Sequence, residues 1–326
     1  MNGVVRAYRA SIMCAADLLR DGKLVAFPTE TVYGLGADAS NPAALRRMFE
    51  AKGRPENHPV IVHVADFDGA QRWSSSMPDE ARALAEAFWP GPLTLIVPRA
   101  SHVLDAVTGG QASVGLRAPA HPVARALLAE FGTGIAAPSA NRFGLVSPTT
   151  ARHVTDDLGD SVDLILDGGA CDVGIESTII AFTTPTPMLL RPGGVDIASI
   201  ARVLGRMPVT GDAAAPRASG TLASHYAPRT PASLVARDAL RAELAQLEGR
   251  DERIAVLAWS VEPPDDFDGV WVSAPGDAAG YAQALYANLR ALDAAAADAI
   301  LIEQMPEGNA WDAVRDRLTR ATSGAQ

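Results

Sequence analysis

Apolar runs and amphipathic stretches alternate along most of this chain. Ile12, Ala15, Ala16 and Leu19 share one helical face, which predicts a helix over 10–20, and Gly22 interrupts it. Residues 24–27 read as a short apolar strand. Ser40-Asn41-Pro42 combines an N-cap with proline at the first helical position. Leu45, Met48 and Phe49 then supply an apolar face, and Gly53 is placed to end the helix. A buried strand follows over 60–64. Between them runs Ala51-Lys-Gly-Arg-Pro-Glu-Asn-His-Pro59, which puts Lys52 and Arg54 at a helix-to-strand junction. Such loops often carry chemistry, although two basic residues there would serve equally well as a helix cap.

The same pattern continues with a helix over 79–88 that ends at Trp89-Pro-Gly-Pro92, and with strands over 93–97 and 113–117. A helix runs from His121 to about Phe131. A strand over 134–137 then delivers Pro138-Ser-Ala-Asn141, and Ser147-Pro148 opens another helix. Strands over 163–166, 177–182 and 188–191 lead to Pro192-Gly-Gly194 and a helix over 196–204. Short turns between some of the strands favour a mixed α/β sheet over a purely parallel one. From Arg206 to Pro231 the chain turns Ala/Gly/Ser/Pro-rich and loses periodicity, as a linker does. Beyond it, strands over 232–235, 254–258, 270–272 and 299–302 alternate with helices over 238–247, 278–292 and 310–320. The expected organisation is a first α/β domain over 1–205, a linker over 206–231 and a small Rossmann-like doubly wound α/β domain over 232–326. The second domain has no glycine-rich phosphate fingerprint and reads as lid or scaffold.

Composition narrows the function. The 326 residues are 48% hydrophobic, ample for two cores. The net charge of -10 repels nucleic acid and anionic membrane, so an anion site must be a local gathering of Lys and Arg. Cys14 and Cys171 have neither CxxC nor Cys/His spacing, which argues against a disulfide framework or structural zinc and fits a reducing cytosol. Charges break up the first twenty-two residues, and no apolar run approaches a membrane span.

Several polar clusters follow or end apolar strands: Thr29-Glu30-Thr31, Lys52/Arg54/His58, His63, Ser113/Arg117, Ser139/Asn141, Ser177 and Arg191. In an open α/β sheet that is where ligands sit. Four cations converging in an acidic chain suggest a polyanion such as a nucleoside triphosphate. The stretch Pro28-Thr-Glu-Thr-Val-Tyr-Gly-Leu-Gly suits close backbone approach to a ligand, yet it is not G-x-G-x-x-G, and no P-loop occurs. Each cluster also has a structural alternative: His63 as a core histidine, Ser139 and Asn141 as turn formers, Arg191 as a surface cation. Cys171 reads as an incidental loop thiol.

The ordered set is far more specific than any member. Pro28-Thr-Glu-Thr-Val-Tyr-Gly-Leu-Gly, Lys52-Gly-Arg-Pro, Trp89-Pro-Gly-Pro-Leu-Thr, Gly115-Leu-Arg, Pro138-Ser-Ala-Asn, Glu176-Ser-Thr-Ile and Leu190-Arg-Pro-Gly-Gly together resemble the YrdC-like family. They cover about Ala10 to Leu204. His225-Tyr-Ala-Pro and the extra α/β domain resemble its long, two-domain branch. One departure is that Ala218-Ser-Gly-Thr-Leu-Ala-Ser224 stands where many relatives have Pro-Gly-Met-Lys, so no linker lysine is available there to reach phosphate.

The resemblance implies a YrdC-like twisted mixed sheet and an enzyme that condenses L-threonine, bicarbonate (or CO2) and ATP into threonylcarbamoyl-adenylate and pyrophosphate. That product would feed a transferase modifying tRNA beside the anticodon. It implies Lys52, Arg54, Ser139 and Asn141 as a catalytic tetrad, and Thr31, His63, Arg117, Ala137 and Ser177 around threonine. Arg54, His58, Ser113, Ser139, Ser147, Arg191, His225 and Tyr226 would contact ATP, the last two as part of a linker lid. Magnesium would travel on the ATP phosphates, with no protein-held metal and no organic cofactor. Two alternatives are a non-catalytic double-stranded RNA-binding module, disfavoured by the acidic balance, and a carbamoyl transferase acting on another acceptor.

Overall fold

The structure is a computed structural model that describes residues 3–211, 215–247 and 252–324. Residues 212–214 of the expected linker, and 248–251 and 325–326 of the expected second domain, lie outside them. The described chain forms two compact units. One runs up to Phe143 and resumes over Ser147–Thr221; the other takes Gly144–Val146 and the chain from Leu222 onward. The division at Thr221/Leu222 therefore falls inside the segment read as a linker.

The first unit is built on eleven strands: β1 (Gly3–Arg6), β2 (Val25–Phe27), β3 (Gly34–Asp38), β4 (Ile61–His63), β5 (Leu93–Pro98), β6 (Ser113–Arg117), β7 (Ile135–Ala136), β8 (Leu164–Asp167), β9 (Thr178–Ala181), β10 (Met188–Arg191) and β11 (Val209–Thr210). Their order across the sheet is β1-β8-β2-β3-β7-β4-β6-β5-β9-β10-β11. Pairings are mixed, as the short turns predict: β4–β6 and β5–β9 are parallel, whereas β2–β3, β3–β7, β4–β7 and β5–β6 are antiparallel.

Alternation along a strand divides the core into two layers. Val25 and Phe27 of β2 pack with Ala15, Leu19, Leu127 and Leu128. Ala26, between them, packs with Leu45, Met48 and Phe49. The helix Pro42–Lys52 forms as its caps dictate. Asn41 Oδ1 accepts from the Ala43 and Ala44 amides, Pro42 opens the first turn, and Gly53 ends the helix in the left-handed region at φ +62°. Lys52 is thereby fixed as the last helical residue and Arg54 as the first of the following loop.

Two sequence expectations need correction. Gly34 and Gly36, read as making room for a ligand, belong to strand β3. A Cβ on Gly36 would lie 2.9 Å from the Phe27 ring and 3.0 Å from Ile135 Cγ2, so the space they leave is filled by the protein's own core. Ser147 does not open a helix. Thr150 caps the helix Ala151–Leu158, and the Ser147 hydroxyl donates instead to Glu176 Oε1 at 2.6 Å. Strand β1 and the short helices Phe67–Gln71 and Asp105–Thr108 had no clear sequence signal.

The second unit is a parallel sheet of β12 (Ala232–Val235), β13 (Ile254–Ala258), β14 (Val270–Ser273) and β15 (Ala299–Glu303), in the order β12-β15-β13-β14. The β12-to-β13 and β14-to-β15 crossovers run in opposite directions. Right-handed connections then put helices Arg237–Leu247 and Ala278–Asp293 on opposite faces. The loop after β13 presents backbone amides of the kind that bind anions in such sheets. Here they bind the chain's own carboxylate: Trp259 N and Ser260 N donate to Glu303 Oε2 at 2.8 and 2.9 Å, and Glu303 is fully buried.

The Pro192-Gly-Gly194 turn is pressed against the 176–178 backbone. A Cβ on Gly193 would lie 2.3 Å from Glu176 O and 2.4 Å from Ser177 C. Backbone atoms at that distance have to move, so Gly193→Ala is expected to lower unfolding free energy by about 1–3 kcal/mol in urea titrations.

Candidate active site

Thr31, His63 and Arg117 come together around a buried ion pair. His63 ends β4 and Arg117 ends β6, and the two are register partners in the parallel pair. Arg117 Nη2 donates to Glu30 Oε1 at 2.6 Å, Nη1 to Thr31 Oγ1 at 2.9 Å, and Nε to Gly91 O at 3.2 Å. These contacts use three of the five N–H donors of the guanidinium. The other Glu30 oxygen accepts the Ala120 amide at 2.9 Å. Burial alone would raise the Glu30 pKa, but the Arg117 charge and these hydrogen bonds outweigh it and hold the carboxyl below its ordinary value. His63 is 4% exposed, and burial together with the facing Arg117 pushes its pKa down to about 3, against the pull of Glu30. It is a neutral imidazole at physiological pH. Ala137 follows β7, and its amide donates to Ile61 O at 3.0 Å.

A second group gathers around Ser177. Its hydroxyl pairs with Thr94 Oγ1 at 2.8 Å and accepts from Arg191 Nη2 at 3.2 Å. Arg191 also donates to Ser177 O and, through Nη1, to Ser219 O at 2.7 Å. Ser219 in turn donates to Pro59 O at 2.9 Å and accepts a long contact from Arg54 at 3.5 Å. Arg54 Nη2 donates to Pro59 O at 2.8 Å. Its guanidinium lies 5.4 Å from the centre of the Phe143 ring, whose edge also meets His58. The beginning of the expected linker is thus docked on the first unit. Arg217 and Gln111 exchange two hydrogen bonds, and Ala218 packs with Ile96, Ile179 and Met188.

A third group is Lys52 with the 139–141 turn. Lys52 Nζ donates to Ser139 O and Asn141 O at 2.5 Å each. Burial first, and then the Arg54 charge, push its pKa well below the usual lysine value, with Asp157 opposing. His58 is lowered by burial, Arg54 and Arg217. Lys52, Arg54 and His58 therefore gather at one corner of a chain whose net charge is -10. A local gathering of cationic residue types suits a polyanion.

Other expected residues sit differently. Ser113 begins β6, roughly 13 Å from Arg117 at the far end of the strand. Ser147 joins through Glu176, the neighbour of Ser177. His225 and Tyr226 belong to the second unit. There the Tyr226 ring packs 5.7 Å from Tyr286 and 5.2 Å from the Arg317 guanidinium, and its backbone is in the left-handed region at φ +63°. Sequence reasoning gave no role to Glu30, Thr94, Glu176 or Ser219. Glu30 stood in the Thr29-Glu30-Thr31 cluster, Glu176 in the Glu176-Ser-Thr-Ile motif and Thr94 as a polar residue inside the apolar run Leu93-Thr-Leu-Ile-Val97; nothing in its small polar surroundings marked Ser219.

The profile of the Sua5–YciO–YrdC family, described as "Telomere recombination", matches residues 17–193. This chain belongs to that family. The profile described as "Threonylcarbamoyl-AMP synthase, C-terminal domain" matches residues 195–323. A Pyrococcus abyssi protein named threonylcarbamoyl-AMP synthase is 40% identical over 95% of this chain and 94% of its own length. A Bacillus subtilis protein of the same name is 39% identical over 95% and 92%. The crystal structure of P. abyssi Sua5 complexed with L-threonine superposes with a TM-score of 0.90 at 38% identity, covering 100% of this chain and 97% of that one.

The buried groups set an acid limb. The unfolded chain protonates His63 below about pH 6.5 while the folded chain resists until about 3, so stability falls across that window. Glu30 adds stability above its ordinary 4.5, which is lost as pH falls through its lowered folded value. His63→Asn is expected to flatten the loss between about pH 6.5 and 4.5, up to about 1.4 kcal/mol per pH unit. Glu30→Gln is expected to leave that interval sloped and to remove its own contribution lower down. Urea midpoints at stepped pH check both.

Proposed function

We infer that this chain is a threonylcarbamoyl-AMP synthase, converting L-threonine, bicarbonate (or CO2) and ATP into threonylcarbamoyl-adenylate and pyrophosphate. The observation that carries it is similarity at about 40% identity along nearly the whole chain, both units included, to proteins of that name. An RNA-binding module without catalysis is not favoured by these relatives.

The chemistry asks for two environments side by side. The threonine ammonium must lose a proton, and the neutral amine then adds to the carbon of CO2 with loss of a second proton, or displaces water from bicarbonate, to give the carbamate. One carbamate oxygen then attacks the α-phosphorus of ATP, the bond to the β-phosphate oxygen breaks, and pyrophosphate leaves. Carbamates revert easily, so the reactants must be held together away from water. For threonine, Arg117 keeps two donors for its carboxylate, and Thr31, neutral His63, Ala137 and Ser177 surround it. Arg54, Arg191 and His58 meet the nucleotide, with Ser113, Ser147, His225 and Tyr226 as further contacts. Arg54 neutralises developing charge on phosphate and carbamate, while Ser139 and Asn141 orient the groups that react.

The donor set at the cationic corner is hydroxyl, amide and carbonyl oxygen. Among the described residues no group of three or more His, Cys, Asp or Glu is arranged to hold a metal. This suits magnesium carried in on the phosphates, with water and phosphate as most of its ligands and Ser139 and Asn141 beside it. When bound it would neutralise phosphate charge. No helix among the described residues is long and apolar enough to cross a membrane. A cytoplasmic setting, and delivery of the adenylate to a transferase acting on tRNA, complete the proposal.

Pyrophosphate release from ATP, with threonine and bicarbonate each omitted in turn, tests the assignment. Release is expected only when both are present. Release with neither would identify a plain ATP hydrolase and sink the proposal. Arg54→Ala is expected to keep the fold, judged by circular dichroism and urea midpoint, while lowering turnover by about a hundredfold or more. Wild-type turnover in that variant would remove Arg54 from the mechanism.

A further inference from the structure

Lys52 differs from the other cations of the site in how its charge is used. Its side chain is 2% exposed, and Nζ sits between two carbonyl oxygens that belong to the two polar residues of the Pro138-Ser-Ala-Asn141 turn. The backbone of Lys52 holds the same segment from its other end, since Lys52 O accepts the Phe143 amide at 2.8 Å. The turn is also tied to β3: Ala140 N donates to Tyr33 O at 2.8 Å, and Gly34 bridges to Ser139. The last residue of the helix Pro42–Lys52 therefore clasps the 139–143 segment at three points.

We propose that Lys52 is a positioning residue, which serves the reaction by fixing the 139–141 turn through its two carbonyls rather than by neutralising phosphate. This deepens the synthase reading and rests on it. The physical reason lies in the carbonyls. Two buried C=O groups two residues apart, turned to one point, are costly unless a donor stands there, and an amine at the end of a helix supplies it. An ammonium has three N–H donors and a neutral amine has two, so either form satisfies both carbonyls. Burial and the neighbouring Arg54, which favour the neutral form, leave the clasp intact. A residue meant to neutralise phosphate has the opposite requirement, a charge that stays on.

The test compares Lys52→Met, which keeps the apolar stem without donors, with Lys52→Arg, which keeps the charge but not the compact head. In ligand-free protein, Lys52→Met is expected to speed amide hydrogen exchange at Ala140 and Phe143 by about tenfold or more. In turnover it is expected to lower kcat by about a hundredfold, the effect of a misplaced turn, while KM for ATP and its salt dependence stay within about threefold. Lys52→Arg is expected not to rescue kcat. Unchanged exchange in Lys52→Met, with ATP affinity weakened about tenfold and a reduced salt dependence, would overturn the proposal in favour of a phosphate contact. Lys52→Arg that restored turnover without restoring exchange protection at Ala140 and Phe143 would overturn it as well.

Should the Met variant not fold, Lys52→Gln carries the same test, being neutral but keeping two N–H donors. Turnover within about tenfold of wild type supports the clasp. A loss as deep as that of Arg54→Ala, with normal exchange at Ala140 and Phe143, overturns it. Wild-type protein that releases no pyrophosphate would sink the synthase reading instead, and the exchange data would still decide the clasp.

Discussion

The ion pair between Glu30 and Arg117 is the constraint on which this end of the sheet depends. Two charges taken out of water destabilise a fold unless their geometry and hydrogen bonds compensate. Here the 2.6 Å contact is supported by the Ala120 amide on the carboxylate and by Gly91 O and Thr31 Oγ1 on the guanidinium. The loop between β2 and β3, the Trp89–Pro92 turn that enters β5, and the end of β6 are locked to one another as a result. His63, paired in register with Arg117, is held neutral by the same burial.

The corner around Arg54 and Arg191 follows a different rule. Arg54 and Arg191 meet carbonyl and hydroxyl oxygens, and the Arg54 charge depresses both Lys52 and His58. In an acidic chain, cations gathered locally can meet a polyanion without making the whole surface attractive to nucleic acid. Ser219 holds onto this corner from a segment that looks like an ordinary linker.

The Trp89-Pro-Gly-Pro-Leu-Thr94 motif serves both sides without contacting either ligand in the proposed mechanism. Gly91 O receives Arg117, and Thr94 Oγ1 orients Ser177. The Glu303 carboxylate in the second unit shows the same economy, since it fills an amide cradle that would otherwise attract an outside anion. This agrees with the absence of a glycine-rich fingerprint there.

Sequence by itself determined the elements whose signals are local. Asn41-Pro42 and Gly53 bounded one helix, and apolar periodicity placed β5, β6 and β10 nearly to the residue. The ordered motifs carried the family and most candidate site residues, because each motif keeps its chemistry within a few positions. What only tertiary structure decided was the partner of each polar group. Glu30 and Arg117 are 87 residues apart, as are Lys52 and Ser139, and Arg54 and Ser219 are 165 apart. No periodicity encodes such pairings. The glycines of β3 show the same limit: a missing Cβ announces a close approach, but only the packed Phe27 ring shows that a core side chain, rather than a ligand, fills the space.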